Sequence, residues 1–551
     1  LCGAAQAATI PGLIVLRMAQ WLAPFFAYHF FTGDPDDSLA LAVAVSVAVF
    51  VLATGAEFAI AVAAKWVLLG RLQPGRYPLW GATYFRWWLA DRLIEGAPVY
   101  MLGGSPLLIW WLRALGAQIG EETIIGSVTM RGHDLVRIGD RVSIGNAVNF
   151  ENVRVERGQL LVGPITVADT AYVGSYSVLE GNTHLAEGAH LDGQSALSDG
   201  TTVPAGRFWL GSPARDGGAF DVSALKPRPA VSRCYRAWEN LFFATGCLAT
   251  AVLFFMPVFP TFILIDWLDD IYPWLQSDRI ELQLIKYFVL AFPATAVLIV
   301  CTVLLSAGLR WSLLPRLHAG SWPIHSGTYR CRWLVNQIQE ASLNVLHGVY
   351  ATVYAPWWYR LLGAQVGRDA EISTAQGLIP DLLNLGDKTF IADAVMLGDE
   401  EIDGGWMTMQ PTVVSRRSFV GNGAYVPDGT VLPENVLIGV HSRVPDNAVI
   451  HSGETWLGSP PVRLPAREQT AGFPENLTFR PSPRRRIGRG AVEAFRIVTP
   501  HAAVIAVGYT TVLNIMPLAE AGQWGAVVWT LNVAGLLYGI GAFAFVALLK
   551  W

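Results

Sequence analysis

Residues 167–203 read VADTAY VGSYSV LEGNTH LAEGAH LDGQSA LSDGTT V, and this stretch decides the fold. Every sixth residue is aliphatic: Val167, Val173, Leu179, Leu185, Leu191, Leu197 and Val203. A helix repeats its buried face every 3.6 residues and a strand every 2, so neither explains this period. A parallel β-helix with triangular coils does, because each flat face turns one aliphatic side chain inward per hexapeptide. Gly or Asp follows many of these positions, as the corners between faces require. The ladder returns at Val414, Val420, Val426, Leu432, Ile438, Val444 and Ile450. Shorter runs precede each copy: Ile138, Ile144 and Phe150, then Leu385, Ile391 and Leu397.

The two ladders belong to one duplicated unit. Leu115-Gly116-Ala117-Gln118-Ile119-Gly120 recurs 247 residues on as Leu362-Gly363-Ala364-Gln365-Val366-Gly367. The same offset carries Trp209-Leu210-Gly211-Ser212-Pro213 onto Trp456-Leu457-Gly458-Ser459-Pro460. An aromatic-rich stretch before each ladder repeats too: Trp66–Leu89 matches Trp311–Leu334, with Gly75 on Gly320, Pro78 on Pro323 and Tyr84 on Tyr329. Amphipathic segments bearing Trp and Arg beside an apolar run lie along a membrane interface, so these stretches are read as collars.

Around these units lie six apolar runs in three pairs: about 8–31 and 39–70, 239–265 and 285–309, 494–518 and 525–549. Each can span a hydrocarbon core of about 30 Å, and each pair reads as a helical hairpin. They account for a chain of 551 residues that is 52% hydrophobic and only 15% charged, where soluble domains average about 25% charged. A disordered chain, an ordinary soluble enzyme and a nucleic-acid binder built on positive charge are excluded; the net charge is −4. Acid marks the hairpin tips (Asp34, Asp36, Asp37; Asp266, Asp269, Asp270, Asp278), and arginines such as Arg71, Arg76, Arg233, Arg236 and Arg316 mark the opposite ends. The β-helices are therefore expected on the cytoplasmic side of a bacterial inner membrane. Arg17 and Glu57, both within apolar runs, are expected to pair. Arg484-Arg485-Arg486 and Arg489 are expected to touch anionic lipid. Five scattered cysteines with no CxxC or Cys/His cluster argue against a disulfide framework or a metal site.

Hexapeptide ladders closed by segments such as Trp209–Pro213 resemble the hexapeptide acyltransferase superfamily, whose members are typically trimers binding an acyl-pantetheine donor between neighbouring β-helices. Set between membrane hairpins, and with Gly132-His133-Asp134-Leu135, the whole chain is similar to the carboxy-terminal membrane half of the epsilon-poly-L-lysine synthetase type of nonribosomal peptide synthetase. The resemblance implies an α + β membrane protein in which three transmembrane hairpins alternate with two left-handed parallel β-helix domains. The expected layout is hairpin 1–70, collar 71–114, β-helix 115–215, linker 216–238, hairpin 239–310, collar 311–361, β-helix 362–461, Pro/Arg-rich linker 462–493 and hairpin 494–551. It also implies adenylation and thiolation domains upstream and a third β-helix downstream. The chain begins with Leu, and Lys550-Trp551 echoes Lys65-Trp66 and Arg310-Trp311, so it is read as a segment of a longer protein. The implied chemistry is aminolysis of an aminoacyl thioester carried on phosphopantetheine. ATP would be used only in the adenylation domain, with no metal and no nucleic acid; a dimer is compatible with the sequence.

Aminolysis needs a base for the amine and donors for the oxyanion. Hexapeptide acyltransferases commonly carry a His in a loop interrupting the β-helix, yet the interrupting loops here, about 151–166 and 398–413, have none. That departure counts against a standard acetyl transfer. His133 beside Asp134 is the expected catalytic pair, with Asp381 matching Asp134 and Pro380 standing in place of His133, so the first module is expected to be the catalytic one. Glu151, Glu156, Asp399, Glu400, Glu401 and Asp403 are expected to hold the ammonium groups of a cationic substrate, the alternative being a solvated acidic loop. His184 and His190 are read as outward ladder residues without a role. The expected function is amide formation between carrier-bound cationic amino acids. A membrane acyltransferase using acyl-CoA or an acyl carrier, and a non-catalytic scaffold or export conduit, are the alternatives.

Overall fold

The computed structural model describes residues 2–32, 38–221, 225–272, 279–445, 448–465, 474–475, 478 and 480–550; the tip residues Asp34, Asp36, Asp37 and Asp278 lie outside them. The helices are α1 Cys2–Phe30, α2 Leu39–Ala64, α3 Ala82–Ile94, α4 Pro106–Ala114, α5 Arg233–Phe255, α6 Val258–Ile271, α7 Ile280–Leu313, α8 Gly327–Leu346, α9 Ala355–Leu362, α10 Pro483–Glu520 and α11 Trp524–Lys550. Among the described residues, six helical segments are long and apolar enough to cross a membrane, with α5 and α6 counting as one. Pro257 breaks that segment, whereas Pro24 and Pro517 stay inside α1 and α10. Phe25, Phe50, Phe255, Phe259 and Tyr509 knit the three hairpins into one apolar core.

One sequence expectation fails here for an identifiable reason. Arg17 does not pair with Glu57: its guanidinium lies 3.9 Å from Glu95 at the end of the collar helix α3. Glu57 Oε2 is buried without a hydrogen-bond partner among the described residues. The Arg484–Arg489 run, expected to touch anionic lipid, forms the first turns of α10. Ser482 caps that helix, accepting from Arg485 N at 3.4 Å, and Pro483 supplies the preset first-turn geometry. Arg486 pairs with Asp369 at 3.1 Å and Arg489 with Glu371, both acids on the second module's first coil.

The ladder residues build two parallel β-helices. Ile165–Val167 pairs in register with Val136–Ile138 on one side and Thr183–Leu185 on the other, one coil apart. The rungs from Val167 to Val203 are at most 1% exposed, and each such aliphatic burial contributes roughly 1.5–3 kcal/mol. Corners hold residues at positive φ, Arg141 and Thr170 in the first copy and Lys388 and Arg417 in the second, all at 58°. Coils stack so closely that a Cβ on Gly174 would lie 2.4 Å from Gly193 N. The last rung of the second copy departs from expectation: Ile450 is half-buried and outside any strand, although it still packs against the second core.

The interrupting loops are folded elements. Val153–Glu156 with Gln159–Val162, and Glu401–Asp403 with Trp406–Met409, form antiparallel hairpins. A collar strand completes each sheet, Gly75–Pro78 in the first copy and Gly320–Pro323 in the second. The collars thus tie the membrane helices to the hairpins rather than merely lying between them.

Candidate functional site

The structure gives Asp134 and Asp381 the same mechanical task. Lys65, at the end of α2 and 1% exposed, reaches Asp134 Oδ2 at 2.9 Å, and Leu72 N donates to that oxygen at 3.0 Å. In the second copy Arg310, at the end of α7 and fully buried, pairs with Asp381, while Leu317 N donates to it at 2.9 Å. A Cβ on Gly116 would lie 2.5 Å from Asp134 Oδ1, so glycine there lets the clasp close. His133 is buried, and burial first, then Lys65, lowers its pKa to about 3. A base that weak is poorly matched to neutral pH. Asp134 and Asp381 thus fasten membrane helices to β-helices, and His133 lies buried beside the first clasp, a placement that favours a structural task for the two acids over the catalytic one expected of the set.

The expected substrate acids separate into two groups. Glu151 and Glu156 stay on the first module's own edge, Glu156 between Arg154 (3.5 Å) and Arg157 (3.7 Å). Of the second loop's acids, Asp399 and Asp403 instead reach across to the first module. Asp399 accepts from Asn146 Nδ2 at 2.8 Å and Ser175 Oγ at 2.6 Å, 253 and 224 residues away. Glu400 pairs with Arg332 of α8 at 2.6 Å. Asp403 Oδ2 lies 4.0 Å from His190 Nδ1. His190, read from sequence as an idle outward residue, is buried in this seam between the rings of Tyr172 and Phe220, each 4.2 Å away. Arg443 joins the seam through Asp192 at 2.6 Å and Gly193 O at 2.9 Å. Burial and then Arg443 lower the His190 pKa to about 4, leaving a neutral ring in a packed interface.

Asp399 makes the seam sensitive to pH. Burial first, and then Glu400, raises its carboxyl to about 7 against its two donors. The unfolded group titrates near about 3.9. Between those values the folded state keeps a proton that the unfolded state has released, so stability falls as pH rises through this window. Asp399→Asn should remove that loss. Melting curves from about pH 5 to pH 8 should show wild type losing ground to the variant as pH rises; a gap moving the other way contradicts the assignment.

Open space lies elsewhere. A cavity of about 310 Å³ sits where the base of α5, the turn before α8, the first collar and the first coil of module one converge. His325 stands in that turn, just ahead of Ser326, which caps α8 by accepting from Tyr329 N at 3.2 Å. Its Nδ1 is 2.6 Å from Glu239 Oε2 on α5, and Glu239 Oε1 receives Arg330 at 3.0 Å. Opposite a carboxylate, Nδ1 carries the proton and donates it, which leaves Nε2 as the basic nitrogen. Among the described residues no hydrogen bond engages Nε2, and the ring lines the cavity. Tyr235 OH fixes the turn by donating to His325 O at 2.9 Å. Arg236, paired with Glu122, keeps a buried Nε–H without a partner among the described residues. A histidine oriented by a buried carboxylate, facing a cavity beside an unused guanidinium donor, has the parts for general-base chemistry. Sequence reasoning missed it, although the collar repeat carried the signal: His325 aligns with Trp80 and Arg330 with Phe85, so the polar pair exists in one copy.

No family model matches the chain. Solved hexapeptide-repeat enzymes cover parts of it. An acetyltransferase from Vibrio cholerae matches at 14% identity and a TM-score of 0.19, covering 30% of this chain and 93% of its own. A maltose O-acetyltransferase from Clostridium difficile 630 matches at 13% and 0.18, covering 21% and 75%. The β-helix assignment rests on the strand pairing, not on these scores. A sequence relative is far nearer: the delta-poly-L-ornithine synthetase of Acinetobacter baumannii (strain AB307-0294) is 49% identical over 553 residues. That match takes in 100% of this chain and 41% of the relative. Along its whole length the chain is therefore a homologue of a poly-amino-acid synthetase, the delta-poly-L-ornithine synthetase, and spans about two fifths of that protein.

Proposed function

We propose that this chain is the membrane-held transferase part of a synthetase that joins cationic amino acids, such as ornithine or lysine, by amide bonds. The whole-length likeness to a poly-ornithine synthetase carries the reading, and the His325–Glu239 dyad supplies a place for the chemistry. In this reading a primary amine enters the cavity, whose rim includes Glu121 and whose wall includes Trp110 and Ile109, with charge and alkyl chain both accommodated. As its nitrogen bonds to the thioester carbon, His325 Nε2 takes the amine proton, and the imidazolium is held by Glu239. The C–S bond then breaks, and the proton returns to the departing thiolate. Arg236 Nε–H is the donor for the oxyanion that forms between these steps.

In this reading the donor's pantetheine arm would lie in a shallow groove of about 490 Å³ that shares Arg113 and Gly120 with the cavity, where Arg113 and Arg137 would hold its phosphate. In this reading the apolar helices cross a bacterial inner membrane and the β-helices face the cytoplasm, a side supported by the arginines gathered at that end. The test is the intact synthetase carrying this chain, supplied with ATP and radiolabelled ornithine or lysine. Labelled homopolymer is the expected product. Acyl transfer from acyl-CoA to an amine, with no amino-acid polymer, would establish the acyltransferase alternative instead.

A further inference from the structure

The three hairpins enclose a second cavity, of about 520 Å³, that the transferase reading leaves without a task. It is lined by the first helix of every hairpin: α1, α6 and α10. Its inner end meets the collar helix α8, where His347 lies against His501 with ring centroids 5.2 Å apart. Its outer end is closed by three rings, one from each hairpin. Phe25 lies 4.6 Å from Phe262 and 4.5 Å from Tyr509, and Phe262 lies 6.2 Å from Tyr509. All three are at most 7% exposed. The lined part of α10, from Pro500 to Tyr509, spans about 14 Å, half the depth of an apolar layer.

Beyond the rings the helices carry acid. Tyr509 OH donates to Asp266 at 3.2 Å, and Tyr287, stacked on Tyr509 at 5.1 Å, donates to Asp269 at 3.0 Å. Carboxylates placed between membrane-crossing helices are costly to keep and mark routes for charged solutes. Aromatic faces attract ammonium groups, and the apolar wall suits the methylenes between them. Among the described residues, two positive side chains stand along this line: Arg17 at the inner end, drawn towards Glu95 at 3.9 Å, and Lys286 beyond the rings, paired with Asp269 and so leaving Asp266 as the acid without a cationic partner.

We propose that this cavity is the inner vestibule of a path for a single extended cationic polyamide, closed at mid-depth by Phe25, Phe262 and Tyr509 and drawn onward by Asp266. The inference rests on the proposed function for the identity of its natural cargo. Outward movement of ammonium groups runs against an inside-negative potential, so chain growth at the β-helix end has to drive it, one residue per bond formed.

The experiment uses the intact synthetase in liposomes and chemically made, fluorescently tagged penta-ornithine added outside. An inside-negative potassium diffusion potential with valinomycin then makes entry downhill. Protein-dependent uptake that vanishes when the potential is reversed is expected. Asp266→Asn, which keeps side-chain size, should lower uptake about tenfold, and Phe25→Leu should raise it severalfold. Uptake no greater than in protein-free vesicles, for both wild type and Phe25→Leu, overturns the proposal, as does full uptake through Asp266→Asn. Because the probe is made chemically, a protein that polymerises amino acids but admits no probe overturns this inference alone. One that admits the probe but makes no polymer overturns only the proposed function.

Discussion

Asp381→Ala is expected to destabilise the protein by about 3–5 kcal/mol, more than a typical surface change by an order of magnitude. The reason lies in what remains. Arg310 is fully buried and its guanidinium keeps only carbonyl partners, Leu314 O at 3.1 Å among them, once the carboxylate is gone. An unpaired buried charge costs far more than the ion pair itself stabilises. Leu317 N also loses its acceptor. Asp134→Ala should act in the same direction, leaving buried Lys65 with Gly70 O as its acceptor at 2.6 Å. Chemical denaturation in detergent, followed by tryptophan fluorescence, measures both. Wild-type stability in Asp381→Ala would remove the clasp from the account.

His325→Ala is expected to lower the rate of amide formation by about a hundred- to ten-thousand-fold, the usual contribution of a positioned base. Loading of the aminoacyl thioester should be unaffected, since that step does not use the cavity. Glu239→Gln should give a smaller loss, because the amide still occupies the place beside Nδ1 but no longer stabilises a charged ring. Rates of loading and of amide release, measured separately on each variant, distinguish a catalytic effect from misfolding. A parallel loss of both steps would mean that the dyad is structural.

The fold was legible because its periods are long and repeated. Seven in-phase hexapeptide rungs specify a β-helix whatever the flanking residues do, and a constant offset of 247 residues dates both modules to one duplication. The site was harder, for a physical reason. Conspicuous polar residues such as Asp134 and Asp381 stand out in sequence, but burial and an ion-pair partner 69 to 71 residues away decide what they do. His190 alternates outward from a strand, a position that is solvent only until a second module covers it. The more telling signal was divergence between copies. Trp80, Phe85 and Trp87 become His325, Arg330 and Arg332 in the second collar, and these three side chains engage Glu239 and Glu400. Where a duplicated scaffold differs from itself, added charge points to the part that acquired a separate role.

Single-turnover transfer puts the His325–Glu239 dyad to its most direct trial. The intact synthetase is loaded with labelled aminoacyl thioester, free ATP is removed, and unlabelled amine is added while label is followed from thioester to amide. Wild type should transfer the label promptly. His325→Ala should load fully yet hold the label as thioester, and added imidazole should restore part of the transfer. Transfer by His325→Ala at the wild-type rate would contradict the account.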